Sequence, residues 1–308
     1  MVDKRHPVDI ERARESLERH NFHVDSLLGA GAFGVVHSVT DDEGRTFAVK
    51  TTRAHPRGRT VEDTRKLREA CRNERAILRA LAEKWERSPA EYVGVVRVFS
   101  VIEADDFCHF VMERLVGSDL EAYVAEYPSA GLGEEKVRTI IRGVLRGLAF
   151  LHGMGVLHRD VKPENVFVEH DAAGSIRDVK LVDLGLGEMF AKKIECSGVG
   201  CSATTNTVVG SLLYRSPAVD KRMGYGADCD LWGAGNVLYY AATGGRSLAA
   251  THEEKKAIWE NCWAKYYKFY GIVSEDVNYL LRALLSMYPL NSEERSAASI
   301  LKDDWFKR

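Results

Sequence analysis

Leu28-Gly29-Ala30-Gly31-Ala32-Phe33-Gly34-Val35-Val36 is the stretch on which the fold turns. Glycines in a GxGxxG pattern serve phosphate-binding loops in unrelated folds, so the context has to decide between them. In a dinucleotide-binding fold the run leads from a strand into a helix. Here Ser26-Leu27-Leu28 precedes it, and Val35-Val36-His37-Ser38-Val39-Thr40-Asp41-Asp42 follows, β-branched and closed by an acidic turn. The pattern predicts strand into strand, a hairpin whose glycines let backbone amides approach phosphate oxygens. Phe33 at the tip is placed to shield such a site from water.

Downstream, Thr46-Phe47-Ala48-Val49-Lys50-Thr51-Thr52 reads as the next strand. A lysine is usually a solvated charge, but one ending an apolar strand after a glycine hairpin reads as a phosphate ligand that needs a carboxylate to fix it. A helix is predicted from Val61 to about Trp85, with Leu67, Ala70, Ile77, Leu78 and Leu81 on one face. It offers Glu74; Glu69, five residues earlier, lies on a different face. This stretch is basic, Arg53–Arg79 holding nine Lys or Arg against Glu62, Asp63, Glu69 and Glu74. A solvated helix face accounts for that; a docking surface for an acidic partner is the sharper alternative. A second β run, to Glu113, turns at Asp105–Asp106. Upstream, Ile10, Ala13 and Leu17 recur at helical spacing among charges.

Beyond Glu113 helical patterns dominate: about Asp119–Glu126, Glu134–His152, Ala227–Thr243, Glu253–Trp263, Ser274–Met287 and Ala297–Trp305, with short strands and loops over 153–217. The class expected is α+β. A helical extension over 1–21 precedes a small β-rich lobe with one helix (22–112), a joint (113–117) and a larger α-helical lobe (118–308).

Two further runs carry chemistry. His158-Arg159-Asp160-Val161-Lys162-Pro163-Glu164-Asn165 sits between apolar Val156-Leu157 and Val166-Phe167-Val168. Polar residues packed between strands are costly without a use. Asp183-Leu184-Gly185 closes the apolar run Val179–Val182, an acid before a glycine bend. Asn165 and Asp183 offer the oxygen ligands that Mg²⁺ prefers.

Composition limits the alternatives. Over 308 residues, 45% hydrophobic and 29% charged residues describe a folded protein, and a net charge of −2 gives no global field for nucleic acid or a membrane. No apolar run approaches the roughly 18 residues needed to cross a bilayer, and the N-terminus, charged from its third residue without an apolar stretch, is not expected to be a secretory signal. A cytoplasmic location is expected, a nuclear one being compatible. Cys71, Cys108, Cys196, Cys201, Cys229 and Cys262 show neither disulfide nor zinc spacing.

Taken in order, these motifs resemble the eukaryotic protein kinase superfamily over about residues 22–308. The glycine run, Ala48-Val49-Lys50, Glu74, HRDVKPEN and DLG are followed by an APE-type run at Ser216-Pro217-Ala218 and a DxWxxG-type run from Asp230 to Gly235. The resemblance implies a bilobal kinase fold. Lys162 after HRD is similar to the serine/threonine class. It further implies a transferase that uses ATP and Mg²⁺ and acts on protein substrates. Asp160 would accept the proton of the substrate hydroxyl, Lys50 and Lys162 would steady phosphate charge with Glu74 fixing Lys50, and Asn165 and Asp183 would hold Mg²⁺. Adenine would lie between Val36 and Ala48 on one side and Phe167, where relatives usually carry Leu, on the other. Met112 matches the gatekeeper, Glu113 and Leu115 the hinge, and Asp119 the ribose carboxylate. Leu28 and Gly29–Gly34 match the nucleotide-covering loop. Asp119 and Glu164 match positions that favour basic residues upstream of the target Ser or Thr.

Departures from the family pattern carry expectations of their own. Ala218 replaces the APE-type Glu, which would leave Arg295 exposed or paired with another acid such as Asp220. Glu188 stands where a basic residue often helps the counterpart of Arg159 bind the regulatory phosphate. An Arg159–Glu188 pair is therefore expected, with Thr207 as the phosphosite and Ser211 bonded to Asp160 and Lys162. The alternative to an enzyme is a pseudokinase, which usually breaks the set Lys50, Asp160, Asn165, Asp183; here all four are present.

Overall fold

The computed structural model describes residues 8–31, 34–56, 60–91, 93–104, 106–127, 131–190, 194, 196–197, 200–201, 204–249, 251–261, 273–285 and 296–307. The chain divides into two compact units, Met1–Tyr92 with Val96–Leu115, and Val93–Val95 with Val116–Arg308.

In the first unit α1 (Ile10–Glu18) is followed by β1 (Phe22–Gly31), β2 (Gly34–Asp41) and β3 (Thr46–Arg53). Then come α2 (Val61–Arg87), β4 (Val98–Glu103) and β5 (Phe107–Glu113). The strands form an antiparallel sheet in the order β1-β2-β3-β5-β4. Because alternate residues point to opposite faces, the register sorts the side chains into two sets. Val35, Val39, Val49, Phe107 and Val111 share one face, and Ala13 and Leu17 of α1 pack there. The helical pattern of the first residues thus becomes a helix lying on the sheet, beginning at the Asp9 cap, whose carboxylate accepts from the Arg12 amide. Lys50 and its partner Val36 lie on the opposite face, with Ala48 and its partner Met112. Helix α2 starts at a Thr60–Asp63 capping box, buries Ile77, Leu78 and Leu81, and packs on β4. On its exposed side Arg65 and Lys66 pair with Glu62, as on a solvated face.

The second unit starts with β6 (Gly117–Asp119), α3 (Leu120–Ala125), α4 (Glu134–Gly153) and β7 (Val156–Leu157). Next are β8 (Val166–His170), β9 (Ile176–Leu181), β10 (Glu188–Met189), β11 (Cys196–Ser197) and β12 (Gly200–Cys201). The remaining helices are α5 (Pro217–Asp220), α6 (Asp228–Ala242), α7 (His252–Asn261), α8 (Glu275–Leu285) and α9 (Ala297–Ile300). Helix α6 is apolar nearly all round and buried; α4 and α8 pack on it, and α4 also covers β9. The mixed α+β class is as the sequence predicts.

Local differences have local causes. The helix expected over Ala297–Trp305 stops at Ile300 and resumes as a 3₁₀ turn at Asp304–Lys307, because the Asp303 carboxylate takes the Trp305 amide at 2.9 Å. Trp263, Met287, Cys262 and Asp105 lie outside the described residues. Cys196 and Cys201 are backbone partners in the β11–β12 hairpin. Cys71, Cys108 and Cys229 are free thiols whose pKa values burial pushes up, Cys108 to about 12, so they are not poised as thiolates. Among the described residues no helix is long and apolar enough to cross a membrane.

Candidate active site

In the first unit the glycine run is a β1–β2 hairpin, with Gly29 opposite Val36 and Gly31 opposite Gly34. Gly34 is required by close approach: a Cβ there would stand 2.4 Å from the carbonyl oxygen of Thr51. Leu28, Gly29, Ala30 and Gly31 are exposed along β1, while Ala32 and Phe33 lie outside the described residues. Across the sheet, Lys50 donates to Glu74 at 2.7 Å, and Glu74 is 4% exposed. Glu69 is exposed and pairs with Arg65, as the face argument requires. Met112 is half-buried; Glu113 closes β5 by accepting the Arg97 amide on its carboxylate at 2.7 Å, with half-buried Leu115 two residues on.

In the second unit the polar loop joins β7 to β8. Asp160, 9% exposed, is held from several sides. Its Oδ1 accepts from the Ser211 amide (2.8 Å) and hydroxyl (2.9 Å). Its Oδ2 accepts from Asn165 Nδ2 (3.0 Å) and pairs with Lys162 Nζ (3.1 Å), which also donates to Ser211 Oγ (2.8 Å). Asn165 Nδ2 further donates to the Asp160 carbonyl at 2.8 Å. A carboxylate so fixed keeps one orientation, which a group accepting a proton from an incoming hydroxyl needs.

Asp183 is joined to this loop through its neighbour, the Val182 amide donating to the Asn165 carbonyl at 3.0 Å. Its backbone is left-handed (φ 58°), and its Oδ1 accepts from the Gly185 amide. Because Asn165 directs its amide NH₂ at Asp160, its side-chain carbonyl is the end left for a cation. Asn165 and Asp183 are thus two hard oxygen donors at the ends of one β8–β9 hairpin. Two protein oxygens fit Mg²⁺, which keeps waters and takes phosphate oxygens for its other positions. Among the described residues no cluster of three or more His, Cys, Asp or Glu could hold a metal without such outside ligands. Asp119 and Phe167 are register partners in β6–β8.

Arg159 takes a left-handed backbone (φ 65°). Its guanidinium donates to Leu186 O (2.7 Å), Gly187 O (3.2 Å) and the Glu188 carboxylate. The expected Arg159–Glu188 and Ser211 contacts are both present. Thr207 is exposed, and its carbonyl accepts from the Tyr225 hydroxyl. Asp220 pairs with Arg215 and Lys255, both at 2.5 Å; Arg295, offered as its partner from the sequence, lies outside the described residues.

Asp230 stands in the DxWxxG-type run, and its work is not visible in the sequence. Fully buried, it accepts from the amides of His158 (2.9 Å) and Arg159 (2.7 Å) and bonds His152 Nε2 (2.8 Å). Burial alone would raise its pKa, but the His152 contact and the other donors outweigh this and lower it. It holds the turn that aims Asp160. The available signal was an acid inside an apolar helix, where a charge has to be paired.

A family model described as the protein kinase domain matches residues 22–306. Over 99% of its length the chain is 22% identical to a probable serine/threonine-protein kinase, fhkD, of Dictyostelium discoideum, covering 39% of that protein. It is 27% identical to the serine/threonine-protein kinase cds1 of Schizosaccharomyces pombe over 99% of the chain and 62% of the relative. It is 28% identical to CBL-interacting protein kinase 16 of rice over 97% of the chain and 59% of the relative. The chain therefore spans less than two thirds of the length of these relatives.

Proposed function

Since the chain belongs to the protein kinase family, we propose that it is a catalytically active kinase transferring the γ-phosphoryl group of ATP, with Mg²⁺, to serine and threonine hydroxyls of proteins. The observation that carries this reading is the fixed Asp160 carboxylate, bonded on one oxygen by Ser211 and on the other by Asn165 and Lys162. When bound, ATP supplies the phosphoryl group and Mg²⁺ its counter-charge. Asp160 orients the target hydroxyl and takes its proton, while Lys162 places positive charge beside it. Lys50, held by Glu74, adds a second fixed cation for phosphate oxygens. In a loose phosphoryl-transfer transition state, positioning and charge of this kind do most of the work. The same reading gives Asn165 and Asp183 to Mg²⁺, and Val36, Ala48, Met112, Glu113, Leu115 and Phe167 to adenine.

Substrates with Arg or Lys upstream of the target residue are part of this proposal. Asp119 and Glu164 were the sequence-level candidates for that preference. Glu121 joins them: burial, then the nearby carboxylates of Glu164 and Asp119, raise its pKa. Such an acidic neighbourhood favours a cationic peptide segment. A positional peptide library should show enrichment of upstream Arg or Lys; a flat profile refutes the preference.

The deciding experiment is phosphorylation of a generic protein substrate by the purified chain and by Asp160→Asn. Loss of a base of this kind lowers the rate by about 10²–10⁴-fold, with thermal stabilisation by Mg-ATP retained. Nucleotide binding without transfer by the unaltered chain overturns the enzyme in favour of a nucleotide-binding scaffold.

A further inference from the structure

Ser211 is bonded to Asp160, so the residues after it flank the place where a target hydroxyl must arrive. Their backbone has little core of its own: Leu212 is 63% exposed and Leu213 43%. Order in such a segment has to come from polar anchoring. The anchor is a lysine from a helix more than thirty residues downstream. Lys255 of α7 is 3% exposed. Its ammonium donates to the carbonyls of Leu212 (2.8 Å) and Arg215 (3.0 Å) and pairs with Asp220 Oδ2 at 2.5 Å. Two hydrogen bonds to backbone carbonyls and one ion pair to a carboxylate thus occupy the ammonium. Asp220 is closed on its other oxygen by Arg215 Nε at 2.5 Å. One buried cation thus ties both ends of the segment 212–215 to α5 and α7.

We propose that Lys255 is a positioning residue for the protein substrate: with Asp220 and Arg215 it fixes the backbone that receives the chain around the target Ser or Thr. This rests on the kinase reading and adds to it a residue that touches neither substrate nor nucleotide. Ala218, where an acid is usual, is buried beside this cluster, and Asp220 two residues on supplies the carboxylate. A buried lysine kept charged needs such a carboxylate, because an unpaired ammonium in that place is strongly disfavoured.

The test compares Lys255→Met, Lys255→Arg and, as a control, Lys256→Met at the exposed neighbouring position. In Lys255→Met the Tyr214 and Arg215 amides, which donate to Ser211 O at 3.0 and 2.9 Å, should exchange with solvent about 10-fold faster or more. The KM for a peptide substrate should rise about 10- to 100-fold, the scale on which misplacing a reactant acts, while the KM for ATP stays within about twofold. Lys255→Arg should restore part of the loss, and Lys256→Met should change nothing. Unchanged amide exchange in Lys255→Met overturns the proposal, as does a parallel rise in both KM values. If Lys255→Met does not fold, Asp220→Asn, of the same shape, is read in the same way. Should the unaltered chain transfer no phosphoryl group, the kinase reading fails while the exchange measurement still decides whether Lys255 fixes the segment.

Discussion

The two units hold their functional groups by different means. In the second unit the anchors reach backbone: Asp230 takes the amides of His158 and Arg159, Ser211 offers its own amide to Asp160, and Lys255 takes two carbonyls. In the first unit Lys50 and His109 are held from side chain to side chain between separate elements. Lys50 of β3 meets Glu74 of α2 on one face of the sheet. On the other, buried His109 of β5 bonds Ser16 of α1 (2.9 Å) and Thr51 of β3 (2.8 Å). Backbone anchors fix the path of a loop, so their loss leaves orphaned amides and a misfolded turn. Side-chain anchors join elements that are already folded, so their loss loosens a docking and little else. The second unit is therefore expected to fail through stability, and the first through activity or through solution conditions.

Asp230→Ala should give the largest effect and is the direct way to break this distinction. It leaves two buried amides and His152 without their acceptor, a loss of about 3–5 kcal/mol on the scale of broken buried charge networks. Urea unfolding measures it. A loss below about 1 kcal/mol, the worth of one ordinary hydrogen bond, would mean the loop holds its path without Asp230.

His109 sharpens the other side. Burial, then the nearby His20 and His37 and the Arg19 charge, lower its pKa to about 4 from 6.5. A histidine so depressed is neutral in the folded chain, and the unfolded chain binds the extra proton between these values. Its contribution is fully present above about pH 6.5 and is lost as pH falls toward 4. Linkage puts the whole at about 3 kcal/mol. His109→Gln should remove that slope, seen as a flatter dependence of unfolding free energy on pH than in the unaltered chain. An identical slope in both proteins would show that the α1 docking does not titrate.

Glu74→Gln should be milder. It keeps the shape beside Lys50 and removes the charge; kcat/KM should fall about 10-fold, some 1.4 kcal/mol in transition-state terms, with the unfolding midpoint little changed. A large drop in stability at equal activity would reverse the roles given to the two units.

These contrasts also explain what could be read in advance. The glycine hairpin was legible because strand period continues on both sides of it, and Glu74 was preferred to Glu69 because helix geometry separates their faces. The pair Arg159–Glu188 followed from a charge out of place in a motif. The face of the sheet that α1 covers was not legible: Ala13 and Leu17 mark an apolar stripe but not its partner. Lys255 and Asp230 were missed for a related reason. Their partners lie about thirty-five to eighty residues away, and a long-range polar contact leaves no local period. For Asp230 the one available sign was a charge within an otherwise apolar helix, which reports burial but not the partner; Lys255 lies in the charged run Glu253-Glu254-Lys255-Lys256, which gives no such sign.

The smallest effect is expected at Thr207, where the anchoring of the second unit bears on regulation. On the proposed reading, a phosphate on Thr207 orders its segment by engaging Arg159, the arginine beside Asp160. Here Arg159, its side chain 6% exposed, already gives its guanidinium to Glu188, Leu186 O and Gly187 O. Thr207 is exposed, and its surroundings are ordered without a phosphate: Thr205 and Tyr225 exchange backbone hydrogen bonds at 2.9 and 3.1 Å, and the Tyr225 hydroxyl donates to Thr207 O. A phosphate would have to displace Glu188 from Arg159 against like-charge repulsion. Thr207→Ala should therefore lower phosphoryl transfer by no more than about threefold, within the reach of one exposed charge contact. Glu188→Lys turns the logic round, since it leaves Arg159 without its acid and adds a cation able to bind phosphate. In that background activity should depend on phosphorylated Thr207, and Thr207→Ala should then cost at least about 10-fold, the worth of one charge-assisted hydrogen bond. Abolition of transfer by Thr207→Ala in the unaltered chain would show that Glu188 does not stand in for the phosphate, and that the second unit is less completely assembled than its hydrogen bonds imply.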